Sequence, residues 1–191
     1  MNIHSNDRRR RSIRLRNYDY AQAGAYFVTI CTQNRTCLFG EIVDGTMILN
    51  SFGLTVFEEW TRTSQIRQEI ELDVFQVMPN HIHGIIVITG NGAGASAAHV
   101  GAHGRAPLPH KRPTGISRAP KSLGSIIAGF KSAATKQINL MRGTPSQPVW
   151  QRNYYERIIR NETELDTIRK YIVNNPLEWA QDELNPQSSK T

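Results

Sequence analysis

This chain is poor in the features that would carry it into or across a membrane. Among its 191 residues no apolar run approaches the roughly 18 that a spanning helix requires. Its arginine-rich start has no apolar centre of the kind a signal peptide uses, which makes the cytoplasm the expected location. Cysteine is almost absent. The only two, Cys31 and Cys37, match neither a zinc spacing nor a disulfide framework, so reduced thiols are expected. Cys31 falls in a β-branched, aromatic stretch and reads as a small core hydrophobe. Acidic residues are outnumbered, 16 against 23 lysines and arginines, for a formal charge of +7 and a pI near 9.7. That excess favours a polyanionic partner, with nucleic acid the usual one and a membrane surface the competitor. Apolar residues, at 39%, suffice for one compact domain with extensions.

Positive charge is densest at Arg8, Arg9, Arg10, Arg11, Arg14 and Arg16, too tight a run to pack inside a fold. Residues 1–20 therefore read as a basic arm, residues 21–180 as the domain and residues 181–191 as a tail. Clustered arginine ahead of a domain suits phosphate, a solubilising tail being the plain alternative. Tyr18 and Tyr20 either stack on bases or anchor the arm.

Within the domain, Ala25 to Thr32 is β-branched and aromatic and predicts a strand. Residues 38–49 alternate around Asp44-Gly45, a hairpin signal. Ser51 is placed to cap a helix running to about Arg67, and Leu72 to Met78 predicts a second strand. Pro79-Asn80 then turns the chain toward a third, the apolar run through Ile88. Residues 90–121 are crowded with Gly, Ala, Pro and basic residues and read as a flexible insertion. Its His99, His103 and His110 lack a rigid frame for a metal. Ser122 caps a helix to about Met141 with Leu123, Ile126, Ile127, Phe130 and Ala134 on one face. Val149 to Ile159 is extended or mixed, and Asn161 or Thr163 starts a last helix that stops before Pro176. The order βαββαβ, with a hairpin inserted early and a helix appended late, predicts an α+β, ferredoxin-like antiparallel sheet.

The segment Met78-Pro79-Asn80-His81-Ile82-His83-Gly84 puts two histidines at i and i+2 of a strand, where side chains share a face. Two imidazoles so placed can converge on one cation and leave coordination positions open. A pair of half-buried or solvent-facing histidines is the plain alternative. In the last helix Tyr171 and Asn175 are four apart, so a phenol and an amide share a face if the helix persists that far. Read alone, Tyr171 is better explained as a core aromatic beside Ile168 and Ile172, and Asn174 or Asn175 as a helix C-terminal residue.

Taken in order, several segments resemble the HUH single-tyrosine transposases, and among them the REP-associated tyrosine transposases. They are Ile13-Arg14-Leu15 with Tyr18-Asp19-Tyr20, Gly24-Ala25-Tyr26-Phe27-Val28-Thr29, and the histidine segment. Trp150-Gln151-Arg152 with Tyr154-Tyr155-Glu156, Ile159-Arg160, and Tyr171-Ile172 ahead of Asn175-Pro176 complete the series. The resemblance implies that His81, His83 and Asn175 hold Mg²⁺ or Mn²⁺ and that Tyr171 is the nucleophile. It implies cleavage and rejoining of single-stranded DNA beside a hairpin, through a 5′-phosphotyrosine, by a monomer or a homodimer. The arginines of the arm, Lys131, Lys136, Arg152, Arg157 and Arg160 are then phosphate contacts, with Tyr154, Tyr155 or Trp150 as stacking platforms. Trp150 also suits the core, and Arg157 or Arg160 suits pairing with Glu156, Glu162 or Glu164. No general base is visible. Two rivals stand beside this reading, a hairpin-binding descendant that does not cleave and a metal-dependent nuclease that activates water.

Overall fold

The structure is a computed structural model that describes residues 18–90 and 120–188. The arginines of the arm and the histidines of the predicted insertion lie outside the described residues. Among the described residues six strands and three α-helices follow in the order β1 (Gly24–Cys31), β2 (Gly40–Val43), β3 (Thr46–Leu49), α1 (Ser51–Ile66), β4 (Ile70–Met78), β5 (His81–Ile88), α2 (Leu123–Arg142), β6 (Tyr155–Ile159) and α3 (Glu162–Asn174). The main sheet has the order β4-β5-β1-β6 and is antiparallel throughout, while β2 and β3 form a separate ribbon. This is the α+β arrangement that the order of elements predicts. No helix among the described residues is long and apolar enough to cross a membrane.

The alternation of β1 and β5, the two inner strands, decides what each face of the sheet carries. Tyr26, Val28 and Ile30 with Ile82, Ile86 and Ile88 join Val56 and Trp60 of α1 and Ile126, Ile127 and Phe130 of α2 in the larger core. Full burial of each such aliphatic side chain contributes about 1.5–3 kcal/mol. Gly84 lies on this face, and a Cβ there would stand 2.5 Å from Trp60 Cζ2. The missing side chain lets the indole lie against β5. Ala25, Phe27 and Ile85 face the other way and pack with Leu165, Ile168 and Ile172 of α3. One face thus carries two helices and the other carries the last helix and both histidines.

The helix ends follow local chemistry, with one departure from expectation. Asn50, not Ser51, caps α1: its side-chain oxygen accepts from the backbone N–H of Phe52 and Gly53, both at 3.0 Å. Asn50 is still extended as it leaves β3, the geometry a cap requires, and its Nδ2 donates to Leu38 O. Ser51 becomes the first helical residue. Ser122 caps α2 as expected, and Gly143 ends it in the left-handed region at φ 63°. Tyr18 and Tyr20 pack on the larger core, their rings 4.9 Å apart, and the Tyr18 hydroxyl lies 3.3 Å from that of Tyr26. They anchor the chain where it enters the sheet.

Candidate active site

His81 and His83 project from the head of β5 on the α3 face, opposite Cys31 and Thr29 of β1. Both are buried, and their Nε2 atoms stand 3.0 Å apart. Two nitrogens each about 2.1 Å from one metal ion, at right angles, would stand about 3.0 Å apart. The outer nitrogens are held as well. His81 Nδ1 lies 2.8 Å from Asn80 Oδ1 and His83 Nδ1 lies 2.9 Å from Thr29 Oγ1.

Proton positions follow from the partners. The Asn80 amide nitrogen donates to Arg35 O at 3.0 Å and to Leu184 O at 2.7 Å, so its oxygen faces His81 as an acceptor. His81 therefore carries its proton on Nδ1 and presents a bare Nε2. The Thr29 hydroxyl both donates and accepts, which permits either tautomer of His83. In one, His83 Nε2–H satisfies His81; in the other, both Nε2 lone pairs converge and call for a cation. Burial holds His83 down to about pKa 3, and burial with the neighbouring His83 holds His81 well below its ordinary value. Both rings are neutral near pH 7, the form that binds metal.

Oxygen atoms complete the cluster. Asn175, the C-cap of α3, keeps helical backbone angles, so the predicted shared face with Tyr171 exists. Asn175 is buried and lines the same cleft as Tyr171 and His83. Among the described residues, Asn175 Oδ1 and Asp182 Oδ2 are buried without a hydrogen-bond partner. Asp182 Oδ2 lies 3.9 Å from His81 Nε2. Ligand atoms of His81, His83 and Asp182 all fall within 4.8 Å of one another and could hold a metal ion. Two imidazole nitrogens with unpartnered carbonyl and carboxylate oxygens fit a divalent cation.

Sequence reasoning missed Asp182. It falls within the region read as a tail, where no periodicity or motif marks it, and only the return of the chain after α3 brings it to His81.

Tyr171 faces this cluster. Its hydroxyl lies 3.3 Å from His83 Nε2, and its ring stands 5.2 Å from the His83 ring and 6.1 Å from that of Phe27. With 44% of its surface exposed, Tyr171 borders an open cleft of about 1470 Å³ that is also lined by His83, Asn175, Asp182, Arg152 and Tyr155. Burial, and the negative charge of Asp182 after it, raise its pKa, so the phenol is protonated near neutrality.

The remaining sequence-predicted residues are spread around the cleft. Arg152 and Tyr154 also line a neighbouring groove with Lys136. Lys131 donates to the carbonyls of Gln151 and Arg152, tying α2 to the chain before β6. Arg157 pairs with Glu164 at 2.7 Å, and the same carboxylate accepts from the backbone of Arg160, whose side chain is exposed. Trp150 is buried in the larger core, while Tyr155 is exposed beside Phe27.

No protein-family model matches the sequence. An uncharacterized protein of Haemophilus influenzae is 41% identical over 178 residues, spanning 92% of each chain. Among solved structures, a REP-associated tyrosine transposase bound to a REP hairpin superposes with a TM-score of 0.55 at 17% identity, over 87% of this chain and 74% of that one. A candidate transposase from Deinococcus radiodurans superposes more loosely, with a TM-score of 0.44 at 15% identity over 85% of this chain and 97% of that one.

Proposed function

We propose that this chain, which belongs to the same family as the uncharacterized Haemophilus influenzae protein and has the fold of a tyrosine transposase, is a metal-dependent HUH-type transposase or endonuclease of single-stranded DNA. The observation that carries the reading is the Tyr171 hydroxyl 3.3 Å from His83 Nε2, at the edge of a cleft shared with His81, Asn175 and Asp182. A phenol in the core would favour an activated-water nuclease; this one faces the cleft.

His81, His83 and Asn175, with Asp182 beside them, are the residues that would hold Mg²⁺ or Mn²⁺. A bound ion of this kind supplies positive charge to a scissile phosphate and to the charge that develops on its oxygens. The chain supplies the rest. Phe27 and His83 fix the Tyr171 ring from two sides, and its hydroxyl is the nucleophile. Attack forms the Tyr171 Oη–P bond and breaks the P–O3′ bond. The phenol gives up its proton, and the departing 3′ oxygen takes one. The products are a 5′-phosphotyrosine and a free 3′-OH, which reverses the reaction when it attacks the phosphotyrosine. Arg152 and Tyr155 line the route by which a strand enters, and a DNA hairpin beside the cleavage point is the expected partner.

The test is a labelled single-stranded hairpin oligonucleotide incubated with Mn²⁺. A protein-DNA adduct that survives denaturation is expected, absent in Tyr171→Phe and at least about a hundredfold slower in His81→Ala. Cleavage without an adduct would point to activated water. Tight binding without cleavage would point to a binding-only descendant.

A further inference from the structure

The segment after α3 crosses back over the site and is fixed at several points. Leu177 packs against the ribbon turn, where a Cβ on Gly45 would meet it at 2.6 Å. The Trp179 ring stands 6.1 Å from that of His81. Glu183 O accepts from Arg35 at 3.2 Å, and Leu184 O accepts from Asn80 at 2.7 Å. Within it Asp182 is held by one oxygen alone: Oδ1 accepts from the backbone N–H of Leu184 at 2.6 Å, leaving the buried Oδ2 directed at His81 with no partner. A carboxylate oxygen facing a bare imidazole nitrogen at 3.9 Å is an arrangement of two acceptors, which a cation between them would relieve.

We propose that Asp182 is the carboxylate ligand of the cation and that residues 176–188 form a strap which the bound ion ties to the head of β5. The inference rests on the metal site of the preceding reading and deepens it. His81, His83 and Asn175 are neutral donors, and hard divalent ions are held chiefly by charged oxygen. Asp182 supplies that charge from a segment with no strand or α-helix of its own, so metal binding and strap order are one event. Asn80 joins the two halves. Its oxygen sets the His81 tautomer and its nitrogen holds the strap at Leu184, so a displaced strap loosens the ligand histidine as well.

Mn²⁺ alone is the probe, with the full chain. Its affinity is measured by calorimetry, and hydrogen exchange of residues 177–188 is followed with and without it. In the wild type Mn²⁺ should slow exchange across the strap. Asp182→Asn keeps the Oδ1 acceptor and hence the local turn, yet should bind Mn²⁺ at least about tenfold more weakly. At saturating Mn²⁺ its strap should stay unprotected while β5 still responds, and Asp182→Glu should recover part of the affinity. Asp182→Asn that binds within about twofold of wild type with its strap protected overturns the proposal, while loss of binding in His81→Ala keeps the histidine site standing. Strap exchange that rises equally with and without Mn²⁺ also overturns it, by reducing Asp182 to a structural contact. A wild-type chain that binds no Mn²⁺ overturns the metal site itself.

Discussion

A single side chain in this site often serves two neighbours, and protonation is where that becomes measurable. His81 and His83 are buried against each other and, among the described residues, no carboxylate is hydrogen-bonded to either ring. His83 is held at about 3 and His81 well below 6.5, whereas both return to about 6.5 in an unfolded chain. Below about pH 6.5 the unfolded chain therefore takes up protons that the folded chain refuses. Metal-free stability falls as the pH drops from there toward 3, by about 1.4 kcal/mol per unit for each histidine concerned. Urea melts at about pH 7 and about pH 5 should show His83→Gln losing about 2 kcal/mol less than wild type over that interval. Equal losses would mean that His83 takes up its proton as readily in the fold as in the unfolded chain. The histidine pair itself is legible in the sequence because a strand's period of two is strict. Asp182 is not, because it reaches His81 from 101 positions away through a segment without a period.

Among the elements, α3 is the one whose placement matters most to the proposed chemistry. Its apolar stripe, Leu165, Ile168 and Ile172, sets the side that faces the sheet. Its position along the sheet is set at Arg169, whose guanidinium reaches Asp73 on β4 at 2.6 Å and 3.1 Å and Asp166 at 3.1 Å. Asp73 sits where the β4–β5 register shifts between Leu72 and Phe75. The irregularity serves to aim a carboxylate at α3. That guanidinium holds the Asp73 carboxyl below its usual range. Arg169 lies two residues before Tyr171, so Asp73→Asn should lower stability by only about 1–2 kcal/mol, the pair being partly exposed. Single-turnover adduct formation should slow about tenfold while DNA affinity holds. A variant that loses affinity and rate together would deny the pair a positioning role. Apolar periodicity and turn residues make α1, α2, α3 and the ribbon legible in the sequence. The Asp73–Arg169 contact is not, since a bulge that redirects one side chain leaves no mark in a strand's composition. The mixed stretch from Val149 resolves for a comparable reason: Trp150 bridges to Thr32 and is buried, and regular pairing begins only at Tyr155.

At the scale of the molecule, one chain assembles the whole cluster. Tyr171 comes from α3, the histidines from β5 and Asp182 from the returning segment, and α3 packs on its own sheet through Phe27 and Ile85. The tyrosine should therefore act in cis. Mixing Tyr171→Phe with His81→Ala should leave adduct no higher than the His81→Ala trace, since neither chain can lend the other its missing part. Recovery of adduct in the mixture would place the tyrosine helix across a dimer.

The same sheet separates its two ends. The register sets Cys31 beside His81 at one end and Gly24 beside Ile88 at the other, and seven steps along β5 span roughly 23 Å. Gly90 lies beside Ala23, and the Leu123 N–H bonds to Tyr20 O, all at the end remote from the histidines. Gly90 and Leu123 therefore stand at the pole away from the cluster. A fluorophore or a tether attached beside Ile88 would sit roughly 23 Å from His81, far enough to report on the fold without touching the proposed chemistry.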